Sequence, residues 1–128
     1  VHVGQSDMEA LDVRAKLGPD KIIGVSAHNV EEALAAQAAG ADYLGVGAAF
    51  VTGTKTDAKP ISRETIRAIT AAVDIPVVAI GGIDRTNILE LKGCGLSGVA
   101  VVSALFAQRD VKAAAMELKR LAGEIART

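Results

Sequence analysis

The segment leaving Tyr43-Leu-Gly-Val-Gly47 sets Thr52, Gly53, Thr54 and Lys55 side by side in a connection that runs from Ala48 to Ser62. Hydroxyls, a glycine amide and an ammonium in one short stretch make an oxyanion cradle, since each supplies a hydrogen-bond donor. Connections of this length are uncommon inside compact domains unless they act on something, so a phosphate-binding loop is the first expectation.

Further candidates are spread along the chain. Gly81-Gly82 would let a phosphate approach backbone N–H groups, and Asp84 to Leu91 after it reads as a helix start. Ser103 opens a short helical stretch, as its N-cap or as a phosphate donor. Asp7 suits either a cap on a helix beginning near Met8 or a hard-oxygen ligand for Mg²⁺. His28 reads as a local hydrogen-bonding residue, and His2, within a strand, should face the interior or a helix; neither is assigned a proton transfer. Cys94, between Gly93 and Gly95, has no activating neighbour and no zinc-like Cys/His spacing, so it reads as a packing residue. No Ser/His/Asp order and no paired carboxylates stand out.

These residues need a frame that gathers them. Short β-branched runs at Val1 to Gly4, Lys21 to Ser26, Tyr43 to Gly47, Pro76 to Ile80 and Gly98 to Val102 alternate with amphipathic stretches, the mark of parallel β/α architecture. Runs such as Ile22-Ile-Gly-Val25 and Val77-Val-Ala-Ile80 are apolar at successive positions, which predicts strands covered on both faces. Helical spacing predicts buried stripes of Met8, Leu11 and Ala15; of Val30, Ala33, Leu34 and Ala38; of Ile66, Ile69 and Val73; and, from about Val111 on, of Val111, Ala114, Ala115, Leu118, Leu121, Ala122 and Ile125. Asn29 with Glu32 predicts a capping box. Strand starts recur about every 20 residues except across the long loop, one β/α unit each. Five such units make either an open doubly wound sheet or the larger part of an eight-unit barrel; in both, ligands bind beyond the carboxyl ends of the strands, where the candidate residues fall.

Composition narrows the partners. The 128 residues, 50% hydrophobic, suffice for one domain, and 14 basic against 15 acidic residues leave a net charge of -1, with no electrostatic footprint for nucleic acid or an anionic membrane. Tyr43, Phe50 and Phe106 are too few aromatics for a base-stacking platform, so small molecules are favoured. No apolar run reaches membrane-spanning length and the first residues carry no signal-peptide pattern, so a cytoplasmic address is expected.

Taken in order, Val1-His-Val-Gly-Gln-Ser-Asp7, Gly24-Val-Ser-Ala-His28, Gly40-Ala-Asp-Tyr-Leu-Gly-Val-Gly47, Thr52-Gly-Thr-Lys55, Ala79-Ile-Gly-Gly-Ile83 and Gly98-Val-Ala-Val-Val-Ser103 resemble the thiamine phosphate synthase family across essentially the whole chain. The resemblance implies a TIM (β/α)8 barrel, with residues 1–128 forming a single partial barrel domain of about strands 4 to 8, its amino-terminal units absent. It implies a Mg²⁺-dependent transferase that joins hydroxymethylpyrimidine diphosphate to a thiazole phosphate, releasing pyrophosphate. Ionisation would come first, giving a pyrimidine methyl cation that the thiazole nitrogen captures. By position, Asp7 matches a magnesium ligand, Ser26 and Lys55 match groups holding the pyrimidine diphosphate, and Thr52, Gly53, Thr54, Gly82, Val102 and Ser103 match the thiazole phosphate site.

The family's chain is longer by about three β/α units, which carry basic residues for the diphosphate and an Asn-Asp pair supplying another metal ligand. The 128 residues alone are therefore expected to be inactive unless a separate segment completes the barrel. Two alternatives stand beside this reading. One is the sister thiazole tautomerase, against which Gln5 with Asp7, and Thr54-Lys55, weigh. The other is a non-catalytic phosphate-binding half-barrel that self-associates through an open strand edge.

Overall fold

The computed structural model describes residues 1–51 and 60–126. Its sheet has five parallel strands in the order β1 (His2–Val3), β2 (Gly24–Ala27), β3 (Tyr43–Val46), β4 (Val77–Ile80) and β5 (Gly98–Ala100), each beside its neighbour in sequence. Between and after them come α1 (Ala10–Leu17), α2 (Val30–Ala38), α3 (Arg63–Ala72), a 3-10 turn (Ile88–Leu91), α4 (Ser103–Phe106) and α5 (Val111–Ile125). Order alone decides between the two architectures. A doubly wound sheet reverses direction at a switch point, whereas right-handed crossovers in unbroken sequence put every helix on one face. The chain is a five-strand arc of a (β/α)8 barrel.

The two faces of the arc differ. Val3, Val25, Ala27, Leu44, Val46, Val77 and Ala79 point to the helical side and are buried with Ile66, Ile69, Leu118, Leu121 and Ile125 in one core. Alternate residues His2, Ser26, Tyr43, Val78 and Ile80 are half-buried or exposed on the other face. The expectation of strands covered on both faces is corrected accordingly. An interior barrel face is covered by side chains from the strands opposite, and the arc brings none.

Helix packing follows the predicted stripes in part. Ile66, Ile69 and Val73 of α3 and its end are buried, as are Leu118, Leu121 and Ile125 of α5, each worth about 1.5–3 kcal/mol in burial. For α1 the predicted stripe is wrong: the helix begins at Ala10, Ala10 and Val13 are buried, and Met8, Leu11 and Ala15 are exposed. In α2, Ala33 and Ala36 face inward while Leu34 and Ala38 do not. The capping box forms with a shift. Asn29 Oδ1 accepts from Glu32 N (2.8 Å), but Glu32 Oε1 accepts from His28 N (3.0 Å), one residue before the position a standard box would use.

Candidate functional site

Every strand of a parallel arc ends at the same rim, so the turns after β1 to β5 converge there whatever their sequence. After β1, Asp7 Oδ2 accepts from Gly4 N (2.7 Å) and closes a tight turn; it caps no helix, because the N-cap of α1 is Glu9 and that makes no side-chain cap. The cap reading of Asp7 is thus corrected, with one carboxylate oxygen tied to its own turn. Gln5 Nε2 donates to the Ser26 carbonyl, tying the first rim turn to the end of β2. Among the described residues no group of three or more His, Cys, Asp and Glu is placed to hold a metal ion.

On the open face, Ser26 Oγ lies 2.9 Å from His2 Nε2, and His2 Nδ1 lies 3.1 Å from the Tyr43 hydroxyl. His2 therefore faces the barrel interior, one of the two directions its strand position allowed. His28 keeps its structural reading: Nδ1 lies 2.9 Å from Glu32 Oε1 at the exposed start of α2.

The rim between β3 and β5 is tighter. Ala49 N and Phe50 N donate to Ile80 O (2.9 Å) and Gly81 O (3.0 Å), and Ile61 N donates to Ala48 O (2.7 Å), so the long loop is pinned at its base to β4 and to itself. Thr52, Gly53, Thr54 and Lys55 lie outside the described residues. Gly82 has a φ of +66°, and a Cβ there would meet Phe50 O at 2.8 Å, which explains a glycine where the chain must turn under the loop. Asn87 Nδ2 donates to Gly82 O (2.8 Å) and its Oδ1 accepts from Asp84 N (2.9 Å), locking that turn. The Thr86 hydroxyl donating to Asp84, with the backbone N–H groups of Thr86 and Asn87, holds the Asp84 carboxyl below the usual carboxylate range, against an opposing effect of burial. The expected helix from Asp84 is an Asx-type turn followed by the 3-10 segment.

Gly82, Val102 and Ser103 come together. With Ile80, Gly81, Ile83, Ala100 and Val101 they line a cavity of about 170 Å³ between the ends of β4 and β5. Ser103 is the first residue of α4 rather than its cap, a position held by Val102. Ser103 is exposed at the rim. Cys94 is buried and free, as a packing residue should be. No helix among the described residues is long and apolar enough to cross a membrane.

Sequence reasoning missed Asn87 and the His2–Tyr43 pair. The alternation of β1, β2 and β3 carried a signal for the pair, because His2, Gly24 and Tyr43 fall in one cross-strand row.

Sequential parallel strands, helices on one side and polar turns gathered at the carboxyl rim define a (β/α)-barrel protein with its candidate site at that rim. Residues 1–105 match the family described as thiamine monophosphate synthase. The chain is 57% identical over 118 residues to the thiamine-phosphate synthase of Ruminiclostridium cellulolyticum, covering 92% of this chain and 56% of that protein. It is 51% identical to the enzyme of the same name from Methanobrevibacter smithii, covering 92% and 56%. The solved thiamine phosphate pyrophosphorylase from Pyrococcus furiosus superposes with a TM-score of 0.85 at 42% identity, covering 97% of this chain and 59% of that one. The chain belongs to the thiamine monophosphate synthase family, and it spans a little over half the length of these relatives.

Proposed function

We propose that this chain supplies the carboxyl-terminal five units of a thiamine phosphate synthase, which couples hydroxymethylpyrimidine diphosphate to thiazole phosphate with release of pyrophosphate. The observation that carries the reading is the cavity shared by Gly82, Val102 and Ser103, the described residues that match the family's thiazole phosphate site. The backbone at Gly82 and the Ser103 hydroxyl offer donors there with no carboxylate in the lining, a composition suited to a phosphate. Thr52, Gly53 and Thr54, outside the described residues, match the same phosphate site by the family resemblance.

Ser26, at the end of β2, and Lys55, which lies outside the described residues, are the residues that match the family's pyrimidine diphosphate site. Charge on the departing pyrophosphate is the main demand of an ionising reaction, and an ammonium held against it stabilises that charge as it develops. Asp7 fits Mg²⁺ in a limited sense: one carboxylate oxygen is occupied by Gly4 N, and a single carboxylate suits an ion that takes its remaining ligands from substrate phosphate. When bound, Mg²⁺ supplies further neutralisation of the leaving diphosphate. The remaining barrel units, on the same chain or another, are needed to cover the open inner face and complete this half of the site.

Steady-state release of pyrophosphate by the completed barrel, given both substrates, tests the reading. Lys55→Ala should lower turnover by about 100-fold with little change in melting temperature. A loss of folding equal to the loss of turnover would contradict the assigned role, and consumption of thiazole phosphate without pyrophosphate release would point to tautomerase chemistry instead.

A further inference from the structure

We infer that His2 and Tyr43 are positioning residues that orient the Ser26 hydroxyl as a hydrogen-bond donor toward substrate, so that the ligand atom received at Ser26 must be an acceptor, a diphosphate oxygen or a pyrimidine ring nitrogen, rather than an amino group. The inference rests on the reading of Ser26 as a substrate-binding residue.

The three side chains form one chain of contacts across three strands: Tyr43 hydroxyl to His2 Nδ1 at 3.1 Å, His2 Nε2 to Ser26 Oγ at 2.9 Å. The backbone is shaped to allow it. A Cβ at Gly24 would lie 2.1 Å from the Tyr43 ring, and one at Gly45 would lie 3.0 Å from His2 Cε1. Both glycines face the open side and are covered by these rings, which lie 5.6 Å apart at 38°. Gln5 holds the Ser26 carbonyl from the neighbouring turn, which fixes the backbone from which the hydroxyl extends.

A neutral imidazole carries one N–H and one bare nitrogen, so this chain has two polarities. In one, Tyr43 donates to Nδ1, the Nε2–H donates to Ser26 Oγ, and the serine proton is left for the ligand. In the other, Ser26 donates to Nε2 and Nδ1–H donates to Tyr43, which leaves the serine only its lone pairs. A phenol, with an ordinary pKa near 10, is a far better donor than an aliphatic hydroxyl, and the serine oxygen is the better acceptor. Consecutive bonds running in one direction also polarise one another. That cooperativity is common to both polarities, so it is the difference in donor strength between phenol and aliphatic hydroxyl that selects the first.

Heteronuclear NMR of the ring nitrogens in the full chain, at about pH 8, above the ordinary imidazole range, reads the tautomer directly. The signals are assigned by their loss in His2→Gln. The expected result is His2 protonated at Nε2 and bare at Nδ1, with that preference lost in Tyr43→Phe; the opposite tautomer overturns the inference. Binding of hydroxymethylpyrimidine diphosphate provides the second arm. Ser26→Ala and His2→Leu should each weaken it about tenfold, the double variant should bind no worse than Ser26→Ala, and His2→Gln, which returns an N–H donor, should recover most of the loss. Additive losses overturn the relay while leaving Ser26 a ligand. Unchanged binding in Ser26→Ala overturns instead the substrate role on which the relay rests.

Discussion

At Gly82 a side chain is excluded twice over, by a φ of +66° and by Phe50 O at 2.8 Å from any Cβ. An alanine there should cost about 1–3 kcal/mol in unfolding experiments, because a non-glycine residue is strained in this region and the loop base must shift. The same displacement should weaken thiazole phosphate binding about tenfold by calorimetry. A variant as stable and as tight as the parent would show that Gly82 neither shapes the turn nor meets the phosphate. At the opposite rim the Arg14 guanidinium donates to the carbonyls of Gly18, Lys21 and Gly40 and to Asp42 Oδ2 (2.7 Å). Asp42 also accepts from Ile23 N, and this bond, more than the arginine, holds its carboxyl below the ordinary value of 3.8. Because the folded form binds its proton less readily than the unfolded chain, the stabilisation from Asp42 is complete above about pH 4 and is lost as pH falls through the lowered value. Asp42→Asn should therefore be less stable than the parent near neutrality, the gap narrowing in acid denaturation series below about pH 4; a gap independent of pH would contradict this.

Among the elements, α1 and α3 separate what pattern alone can and cannot reveal. Ile69→Ala in α3, at a site with 0% exposure, should cost about 2–5 kcal/mol by chemical denaturation, whereas Leu11→Ala in α1, at 61% exposure, should change stability by less than about 0.5 kcal/mol. Comparable losses at both would mean that the helix faces are misassigned. The α3 face was legible because its apolar residues sit among charged ones, Arg63, Glu64 and Arg67, so contrast marks the stripe. In α1 the buried face is Ala10 and Val13, small residues that carry little hydropathy signal beside Leu11, and a turn closed by Asp7 delays the helix start beyond Met8. Strand positions were legible to within a few residues because β-branched runs are short and bounded by glycine or proline. Which face of each strand stays open was not, since runs such as Val77-Val-Ala-Ile80 look the same whether a closed barrel or a second helical layer covers the other side.

At the scale of the whole molecule, the rim was the most legible part of the site, since parallel strands put all their following turns at one edge regardless of sequence. Asn87 and the His2–Tyr43 pair were not, because each acts through another residue, and their partners meet only once register is set. Within the described sheet, β1 and β5 each pair along one edge and the interior face is open, so these 128 residues carry a rim without the wall that would enclose both substrates. On the proposed reading the polypeptide alone should thus release no pyrophosphate when given hydroxymethylpyrimidine diphosphate and thiazole phosphate, while the barrel completed to the relatives' length should; turnover by the short chain would mean that five units suffice. The central claim, that the ends of β4 and β5 receive the phosphate of the thiazole substrate, is met most directly by a crystal structure of the completed barrel with thiazole phosphate bound. The phosphate should sit in the cavity between Gly82 and Ser103, within hydrogen-bond distance of both; a phosphate held elsewhere, with that cavity empty, would contradict it.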